Sequence, residues 1–239
     1  MNKNKKIYNE YFESSFKYSN ILTEKQYHNS CVKFEWDYGQ ILPNDKNAKI
    51  LDIGCGTGHF LYYLNKKGYN NFLGIDLSSQ QIEFCKNHIS PHVIQADAIE
   101  FLKNKEKEYK IIIAHDFLEH IQKDQTLSFL NLVYHALKTK GTLILRVPNM
   151  SNPFSLDSRY RDFTHEIGFT EDSLYQIACI TGFRDIDISS TRIQVRTFRN
   201  WIRNTLVNFV HQCIRFAYYI QDFKAPKNLG KNLIAICKK

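Results

Sequence analysis

Apolar and polar residues form a regular block pattern through the middle of the chain. Short apolar runs predict β-strands at residues 49–53, 72–76, 92–95, 111–115 and 142–147. Apolar residues at helical spacing predict helices between them, at 58–67, at 79–88, and along Leu127, Leu130, Tyr134 and Leu137. Strands that alternate with helices indicate an α/β fold built on a mostly parallel sheet.

The two ends of the chain have different patterns. Before the first strand, Tyr27, Cys31, Phe34 and Tyr38 have the spacing of one helical face. After the fifth strand comes a long connection over 148–169, then a predicted helix at 171–181 that Gly182 closes. A strand near 186–188, a basic amphipathic stretch over 197–220 and a final apolar strand at 233–237 complete the chain.

Composition narrows the class of protein. The chain has 239 residues, 43% of them apolar, which is enough for a sizeable core. Its six cysteines form no CxxC pair, so we expect reduced thiols and a cytoplasmic location. Neither a signal peptide nor a transmembrane span is expected, because no long apolar run is present. The net charge of +8 is spread along the chain, which favours a solubility role over a dedicated anionic partner.

A glycine-rich loop, in "KILDIGCGTGHF", follows the first predicted strand. Gly54, Gly56 and Gly58 allow a tight turn and a close approach of backbone to ligand. The dinucleotide pattern GxGxxG would need glycine where His59 stands, so this is a different fingerprint. Asp52 ahead of the loop would repel a diphosphate, but its carboxylate is suited to an amino acid's ammonium group.

Two further acids follow the next strands. Asp76, in "GIDLS", can accept hydrogen bonds from both hydroxyls of a ribose. Asp97 and Ala98, in "QADA", can flank an adenine, with the carboxylate accepting from its exocyclic amine. A ligand with a ribose, an adenine and an amino-acid tail but no phosphate is S-adenosylmethionine.

Residues 49–147 resemble class I S-adenosylmethionine-dependent methyltransferases, through "ILDIGCGTG", "GIDLS", "QADA", "IIIAHDFLEHI" and "GTLILRVPN" in that order. The resemblance implies a Rossmann-like, seven-stranded, mostly parallel sheet with helices on both faces and 233–237 near its antiparallel edge. An N-terminal helical segment and a C-terminal amphipathic helical insertion are added to it. It also implies S-adenosylmethionine as cofactor, bound by Asp52, Gly54, Cys55, Gly56, Gly58, Asp76, Leu77, Asp97, Ala98, His115 and Asp116.

We expect one methyltransferase domain over 1–239 with four parts. These are an N-terminal helical cap (1–47), a cofactor-binding core (48–147), a substrate-side region with the helical insertion (148–232) and the last strand (233–239). Methyl transfer is an in-line displacement from a sulfonium, so the enzyme chiefly positions the acceptor. A hydroxyl acceptor also needs a base or a metal ion to take its proton.

The segment "HDFLEH" after the fourth strand carries the candidate chemistry. It lacks the (Asn/Asp)-Pro-Pro-aromatic motif of base N-methyltransferases and resembles quinone-biosynthesis and small-RNA 2′-O-methyltransferases. The small-RNA resemblance implies that Asp116, Glu119 and His120 join His165 on a divalent metal. Two carboxylates and two imidazoles suit Mg²⁺, Mn²⁺, Fe²⁺ or Zn²⁺. The alternative is a site without metal, in which His120 and His165 are catalytic bases or structural groups.

The acceptor is expected to be an oxygen of a sugar or phosphorylated small molecule, because the layout resembles small bacterial enzymes of surface-polysaccharide biosynthesis. Arg159 and Arg161 would then contact a phosphate, or else form surface salt bridges. An RNA ribose 2′-O-methyltransferase is the alternative, although the chain lacks an RNA-binding appendage and nucleic acid is not the expected partner. A non-catalytic cofactor-binding subunit is a third alternative.

The amphipathic stretch at 197–220 has two interpretations. Its predicted apolar face is Phe198, Trp201, Ile202, Leu206, Phe209, Val210, Cys213 and Ile220. Core packing or a homodimer contact is the first interpretation, and a substrate lid or a peripheral membrane-surface helix is the second.

Overall fold

A computed structural model describes residues 23–239 and contains a seven-stranded sheet. The strands are β1 (Ile50–Ile53), β2 (Phe72–Asp76), β3 (Val93–Gln95), β4 (Tyr109–His115), β5 (Leu137–Pro148), β6 (Asp185–Ser190) and β7 (Asn232–Lys238). They lie in the order β3-β2-β1-β4-β5-β7-β6, and β7 is antiparallel to both of its neighbours. The predicted mostly parallel sheet is confirmed. β7 occupies the position next to the edge, and β6 is the edge strand.

Eight α-helices occur within residues 23–239. They are α1 (Glu24–Tyr38), α2 (His59–Lys66), α3 (Ser79–His88), α4 (Ala98–Leu102), α5 (Thr126–Ala136), α6 (Leu156–Arg161), α7 (Glu171–Thr181) and α8 (Phe198–Ile220). Short 3₁₀ turns cover Leu118–His120 and Pro153–Ser155. None of these helices is long and apolar enough to cross a membrane.

The sheet is buried on both faces, which explains the unbroken apolar runs of its central strands. Every residue of β1 is buried, and so are Ile111, Ile112, Ile113 and Ala114 of β4. Alternate side chains of β4 enter two different apolar clusters. Ile112 packs with the cluster that contains α5 and α7, and Ile113 packs with the cluster that contains α1 and α2. The sheet therefore lies between two layers of helices, one packed against each of its faces.

The N-terminal helix is part of the fold. Thr23 caps it through its side chain, and Tyr27, Phe34 and Tyr38 are buried, as their spacing predicted. Contacts with Phe60 and Tyr63 join this helix to α2. Residues 1–22 of the predicted cap lie outside the described residues.

The predicted helix at 171–181 is confirmed at both ends. The Thr170 side chain accepts a hydrogen bond from the Ser173 N–H in a capping box. Gly182 ends the helix with φ of 104°, a left-handed conformation that favours glycine.

Two expectations about helix faces were wrong. In α5 the buried face includes Phe129, Leu130 and Val133, whereas Leu127 is exposed and Leu137 begins β5. The helix is apolar on several sides, so spacing alone did not select the side that packs on the sheet. In α8 no residue is buried, so packing of this helix into the chain's own core is excluded. The segment that contains α8 connects β6 to β7 at the edge of the sheet. No residue of α8 belongs to either of the two apolar clusters.

Candidate active site

A large cavity opens at the carboxyl ends of β1, β2, β3 and β4. Its volume is about 1260 Å³, more than the roughly 300–1,000 Å³ of a typical small-molecule pocket. The edge of parallel strands is where ligands bind in doubly wound α/β folds. The cavity therefore has room for a nucleoside cofactor together with a small acceptor.

The glycine loop forms one wall of the cavity. Gly54, Gly56 and Gly58 have φ of 70°, 54° and 83°, so each adopts the left-handed conformation that a side chain disfavours. The Gly54 and Cys55 N–H groups both donate to the Ile75 carbonyl, at 2.8 and 3.0 Å. These bonds tie the loop to the end of β2 and hold its backbone against the cavity.

Asp76 joins the glycine loop to the start of α3. One carboxylate oxygen accepts from the Gly56 N–H at 2.9 Å, and the other accepts from the Ser78 N–H at 2.8 Å. Burial raises the pKa of Asp76, while these backbone donors oppose the rise. The aspartate thus has a local structural role besides the predicted one toward a ribose.

Ten of the eleven predicted cofactor-binding residues line this one cavity, with Gly58 as the exception. A Cβ on Gly58 would lie 2.4 Å from the Cys85 sulfur, so this glycine allows α2 and α3 to approach each other. Asp97 caps α4 through the Ile99 and Glu100 N–H groups, and Ala98 is buried beside it. The cofactor contacts of these residues stay a prediction.

The cavity floor is acidic. Asp52 is only 2% exposed, and its burial, together with the nearby Asp76 carboxylate, raises its pKa well above the usual value. A buried acid next to a second, partly buried acid is more stable when a cation lies beside them. The sulfonium and ammonium groups of S-adenosylmethionine supply positive charge, so the acidic floor fits this cofactor.

His115 lies at the end of β4 among aromatic rings. It stacks on Phe34 and Tyr38 of α1, and Phe60 meets it edge to face. Burial holds the pKa of His115 well below its usual value, so the imidazole is neutral at pH 7. Its Nε2 atom has no hydrogen-bond partner among the described residues. The group forms an uncharged, flat wall of the cavity.

Asp116 does not belong to the group of potential metal ligands, contrary to the prediction. Its carboxylate accepts from the Nε and Nη2 atoms of Arg146, and its backbone has φ of 49°. The metal-ligand geometry instead unites Glu119, His120 and His165, whose donor atoms all lie within 4.8 Å of one another. Aspartate is one methylene shorter than glutamate, and the paired arginine takes its two oxygens.

The tautomers of the two histidines follow from their partners. His165 Nδ1 lies 2.7 Å from the Ser158 carbonyl, which can only accept, so Nδ1 carries the proton. His120 Nδ1 lies 2.8 Å from the Thr164 hydroxyl, which itself donates to Asp162 at 2.7 Å. Both imidazoles therefore keep their lone pair on Nε2, the arrangement of metal-binding and proton-accepting histidines.

Glu119 completes this group from inside the protein. It is 2% exposed, and neither of its carboxylate oxygens has a hydrogen-bond partner among the described residues. Burial and, secondarily, the Asp116 charge raise the pKa of Glu119 well above its usual value. Burial and the neighbouring His165 lower the pKa of His120 to about 4. A buried, unpartnered carboxyl is costly unless it holds a cation or a proton.

The arginines of the loop before His165 have structural partners. Arg159 donates to the His165 and Glu166 carbonyls, and Arg161 pairs with Asp157. Neither arginine lines the cavity, so the expectation of a phosphate contact from them is not supported. Arg159 instead holds the backbone that carries His165.

Sequence reasoning missed several residues of the cavity. Arg146 lines it from β5, and Ser30, Lys33 and Phe34 line it from α1. Phe34 and Tyr38 are four residues apart on one helical face, a signal that indicated burial but not its location. Arg146 lies inside the motif "RVPN", yet nothing in that motif identifies Asp116 as its partner.

Known proteins share this fold and parts of this sequence. Ubiquinone biosynthesis O-methyltransferase of Bartonella tribocorum is 30% identical over 123 residues, which cover 50% of this chain and 48% of that protein. A crystal structure of an S-adenosylmethionine-dependent methyltransferase from Archaeoglobus fulgidus has a TM-score of 0.65 at 24% identity, covering 90% of this chain and 97% of that one. The chain spans about half the length of the curated relatives it matches.

A second solved structure has the same fold. Phosphoethanolamine N-methyltransferase 2 of Haemonchus contortus, solved with S-adenosylmethionine, has a TM-score of 0.64 at 15% identity, covering 97% of this chain and 60% of that one. The strand order, glycine loop and acidic cavity together define the class I S-adenosylmethionine-dependent methyltransferase fold. Residues 35–188 match the family described as a methyltransferase domain. The chain belongs to this methyltransferase family.

Proposed function

We propose that this protein transfers the methyl group of S-adenosylmethionine to an oxygen of a sugar or phosphorylated small molecule. The observation that supports an oxygen acceptor is the group formed by Glu119, His120 and His165 at the cavity. A hydroxyl must lose its proton when it attacks the methyl carbon, whereas a neutral amine needs no base for that step. The His165 imidazole, with its lone pair on Nε2, is suited to accept this proton, whereas His120, whose pKa is lowered to about 4, is the weaker base.

The balance of the proposed step is simple. The acceptor oxygen forms a bond to the methyl carbon as the sulfur–carbon bond breaks, and the sulfonium becomes a neutral thioether. The hydroxyl proton leaves to a base, for which His165 Nε2 is the candidate because Ser158 holds the proton on Nδ1. The cavity walls hold the two reactants in line, which supplies most of the rate enhancement.

The same group fits a divalent metal ion. Glu119, His120 and His165 would hold it, and the bonds from Thr164 and Ser158 would orient the two imidazoles. One carboxylate and two imidazoles suit Zn²⁺ or Fe²⁺ better than Mg²⁺, which prefers oxygen ligands. A bound ion would lower the pKa of an acceptor hydroxyl.

The cavity lining supports a polar acceptor. Gln26, Lys33, Gln122 and Gln125 line the cavity together with the two histidines. Amide and ammonium groups are suited to hydrogen bonds with sugar hydroxyls and phosphate oxygens. The assignment to surface-polysaccharide biosynthesis rests on the sequence resemblance alone.

The test is release of S-adenosylhomocysteine from purified protein with a panel of nucleotide sugars, sugar phosphates, catechols, phosphoethanolamine and short RNAs. We expect turnover with a sugar or sugar phosphate, and methyl–oxygen linkage by NMR of the product. Turnover only with RNA, falling steeply with salt, would establish the ribose alternative. Absence of turnover with every acceptor, despite cofactor binding, would favour the non-catalytic subunit.

The metal is tested separately by calorimetric titration with Zn²⁺, Mn²⁺ and Mg²⁺ and by turnover with EDTA. His165→Ala should abolish turnover and leave affinity for S-adenosylhomocysteine nearly unchanged. His135→Ala, which changes an exposed histidine of α5, is the matched control and should retain activity. Equal loss of cofactor affinity in His165→Ala would make His165 structural, and full activity in EDTA without metal binding would exclude the metal.

A further inference from the structure

Helix α8 is amphipathic, and its most apolar side faces solvent. Its partly covered side is mixed, with Asn200, Asn204 and His211 beside Val207, Ile214, Ala217 and Tyr218. Its large apolar side chains point into solvent, with exposures of 75% for Phe198, 60% for Leu206, 66% for Phe209 and 64% for both Phe216 and Ile220. At 100° per residue, these five lie within an arc of about 80°. A soluble helix normally turns such an arc inward.

The exposed arc is too large and too continuous to be ordinary surface. Ile202 lies at its centre with an exposure of 40%, and Trp201 and Tyr219, with exposures of 54% and 77%, lie on one side of it beyond Thr205 and Gln212. Scattered single apolar residues are normal on a protein surface, but a contiguous apolar stripe marks an interaction site. The stripe consists chiefly of the ring and branched side chains that enter the interface between lipid headgroups and acyl chains.

The charge around the apolar stripe favours one kind of binding partner, an anionic lipid surface. Residues 192–227 contain seven basic residues against one acid, Asp222, so this segment carries a net +6 of the chain's +8, and the net charge is concentrated here rather than spread along the chain as expected. Helix α8 itself contains no acidic residue. Three of the basic residues lie in α8 beside the apolar arc: Arg199, Arg203 and Arg215. The other four lie just before or just after the helix: Arg192, Arg196, Lys224 and Lys227. An apolar stripe with basic flanks is complementary to an anionic bilayer surface, since a second copy of the helix would bring like charges together.

The insertion is attached to the edge of the sheet where the active-site cavity opens. It leaves from Ser190 at the carboxyl end of β6 and returns at Asn232, which pairs with Pro148 at the carboxyl end of β5. The Asn149 side chain donates to the Gly230 carbonyl at 2.9 Å, and Leu229 is buried next to it. Near the start, the Gln194 side chain donates to the Val32 carbonyl of α1 at 3.4 Å.

We propose that α8 docks this protein on an anionic lipid bilayer, with the stripe formed by Phe198, Leu206, Phe209, Phe216 and Ile220 inserted between the headgroups. The arginines that flank the stripe contact lipid phosphates. Because both ends of the insertion are held at the carboxyl edge of the sheet, docking places the bilayer at the edge where the cavity opens. This surface is independent of the methyl acceptor, so it can be tested without knowing the substrate.

The chain's two tryptophans provide a direct readout. Trp36→Phe leaves Trp201 of the stripe as the only tryptophan, and Trp201→Phe leaves the 61% exposed Trp36 of α1. Vesicles of phosphatidylcholine with about one third phosphatidylglycerol should shift the Trp201 emission to the blue, and brominated acyl chains should quench it. The Trp36 emission should not change. Shifts at neither tryptophan, with no cosedimentation, would overturn the proposal.

Two sets of variants test separately the apolar insertion and the electrostatic attraction on which the docking depends. Phe209→Ser with Phe216→Ser should abolish vesicle cosedimentation, whereas Ile180→Ser, at an exposed apolar residue of α7, should leave it unchanged. Arg199→Glu with Arg203→Glu should lower the partition coefficient by roughly tenfold or more, in proportion to the anionic lipid content. All these side chains are exposed, so the fold should persist, as circular dichroism would verify. Dimers that dissociate in Phe209→Ser with Phe216→Ser, without any vesicle binding, would assign the stripe to a second copy instead.

Discussion

The Asp116 carboxylate and the Arg146 guanidinium face each other across the ends of β4 and β5 in a two-bond ion pair. The Asp116 N–H also donates to the Arg146 carbonyl at 2.8 Å, so the residues are joined by both backbone and side chains. Burial opposes the Arg146 charge, but Asp116 raises the pKa of the guanidinium above its usual value. The pair holds Asp116 at φ of 49°, a conformation that is unfavourable for most residues.

Replacement of Arg146 tests this pair. Arg146→Lys removes one of the two bonds to Asp116, whose side chain is 44% exposed, so solvent screening limits the loss to roughly 1 kcal/mol. Since both residues line the cavity, we expect affinity for S-adenosylhomocysteine to fall by up to about fivefold in calorimetry. Arg184→Lys, at an exposed arginine, is the control. Unchanged affinity in Arg146→Lys would show that the pair does not shape the cofactor site.

Asp76 should be required for cofactor binding. Asp76→Ala removes the acceptor of the Gly56 and Ser78 N–H bonds and with it the predicted ribose contact. Affinity for S-adenosylhomocysteine should fall by at least about tenfold, because partly buried hydrogen bonds to a carboxylate are lost. Glu83→Ala, at an exposed acid of α3, should bind normally. Equal binding by both variants would contradict the assignment of Asp76.

Gly58 and Gly68 both have positive φ, so their alanine variants separate the backbone cost of a side chain from the cost of a steric clash. Gly58→Ala would place a Cβ 2.4 Å from the Cys85 sulfur, whereas Gly68→Ala would have no heavy atom within 4 Å. Both variants incur a left-handed backbone cost of about 1–2 kcal/mol, and overpacking adds roughly 1–3 kcal/mol at Gly58 only. Urea unfolding should therefore show the larger loss of stability for Gly58→Ala. Equal losses would mean that α2 and α3 separate freely.

Glu119 should give the free energy of unfolding a specific pH dependence. Its pKa is raised in the folded protein, so between its unfolded pKa and its folded pKa the folded state binds more protons than the unfolded state. The stabilisation is complete below the unfolded pKa and is lost as the pH rises through the folded pKa. The glutamine of Glu119→Gln cannot titrate, so this variant should lack this loss of stability. Asp52, whose pKa is also raised, adds a similar pH dependence to the unfolding free energy of both proteins.

The measurement is urea unfolding of metal-free protein between pH 5 and 8.5. The difference in unfolding free energy between wild type and Glu119→Gln should move in favour of the variant as the pH rises. Glu106→Gln, at a mostly exposed acid, should run parallel to the wild type. A constant difference for Glu119→Gln across this range would mean that Glu119 is already charged or already neutral throughout.

The sequence by itself determined the strand and helix order, the methyltransferase family and a set of ten residues that line one cavity. These depend on local signals: apolar runs long enough for buried strands, glycines where the chain must turn, and acids at strand ends. In a parallel sheet the carboxyl ends lie along one edge, so residues as far apart as Asp52 and Asp97 could be placed together from order alone. The same logic placed His115 and Asp116 at that edge.

Only the tertiary structure decided which side chains pair. The spacing of Asp116, Glu119 and His120 is compatible with one shared metal site. In the structure, however, Asp116 pairs with Arg146 from another strand, and His165 from a distant loop lies beside Glu119 and His120. Likewise, an amphipathic pattern in α8 indicates a helix with two different faces, but not which face meets the chain. Ion pairs and packing depend on neighbours far along the chain, and their geometry exists only once the sheet has brought those neighbours together.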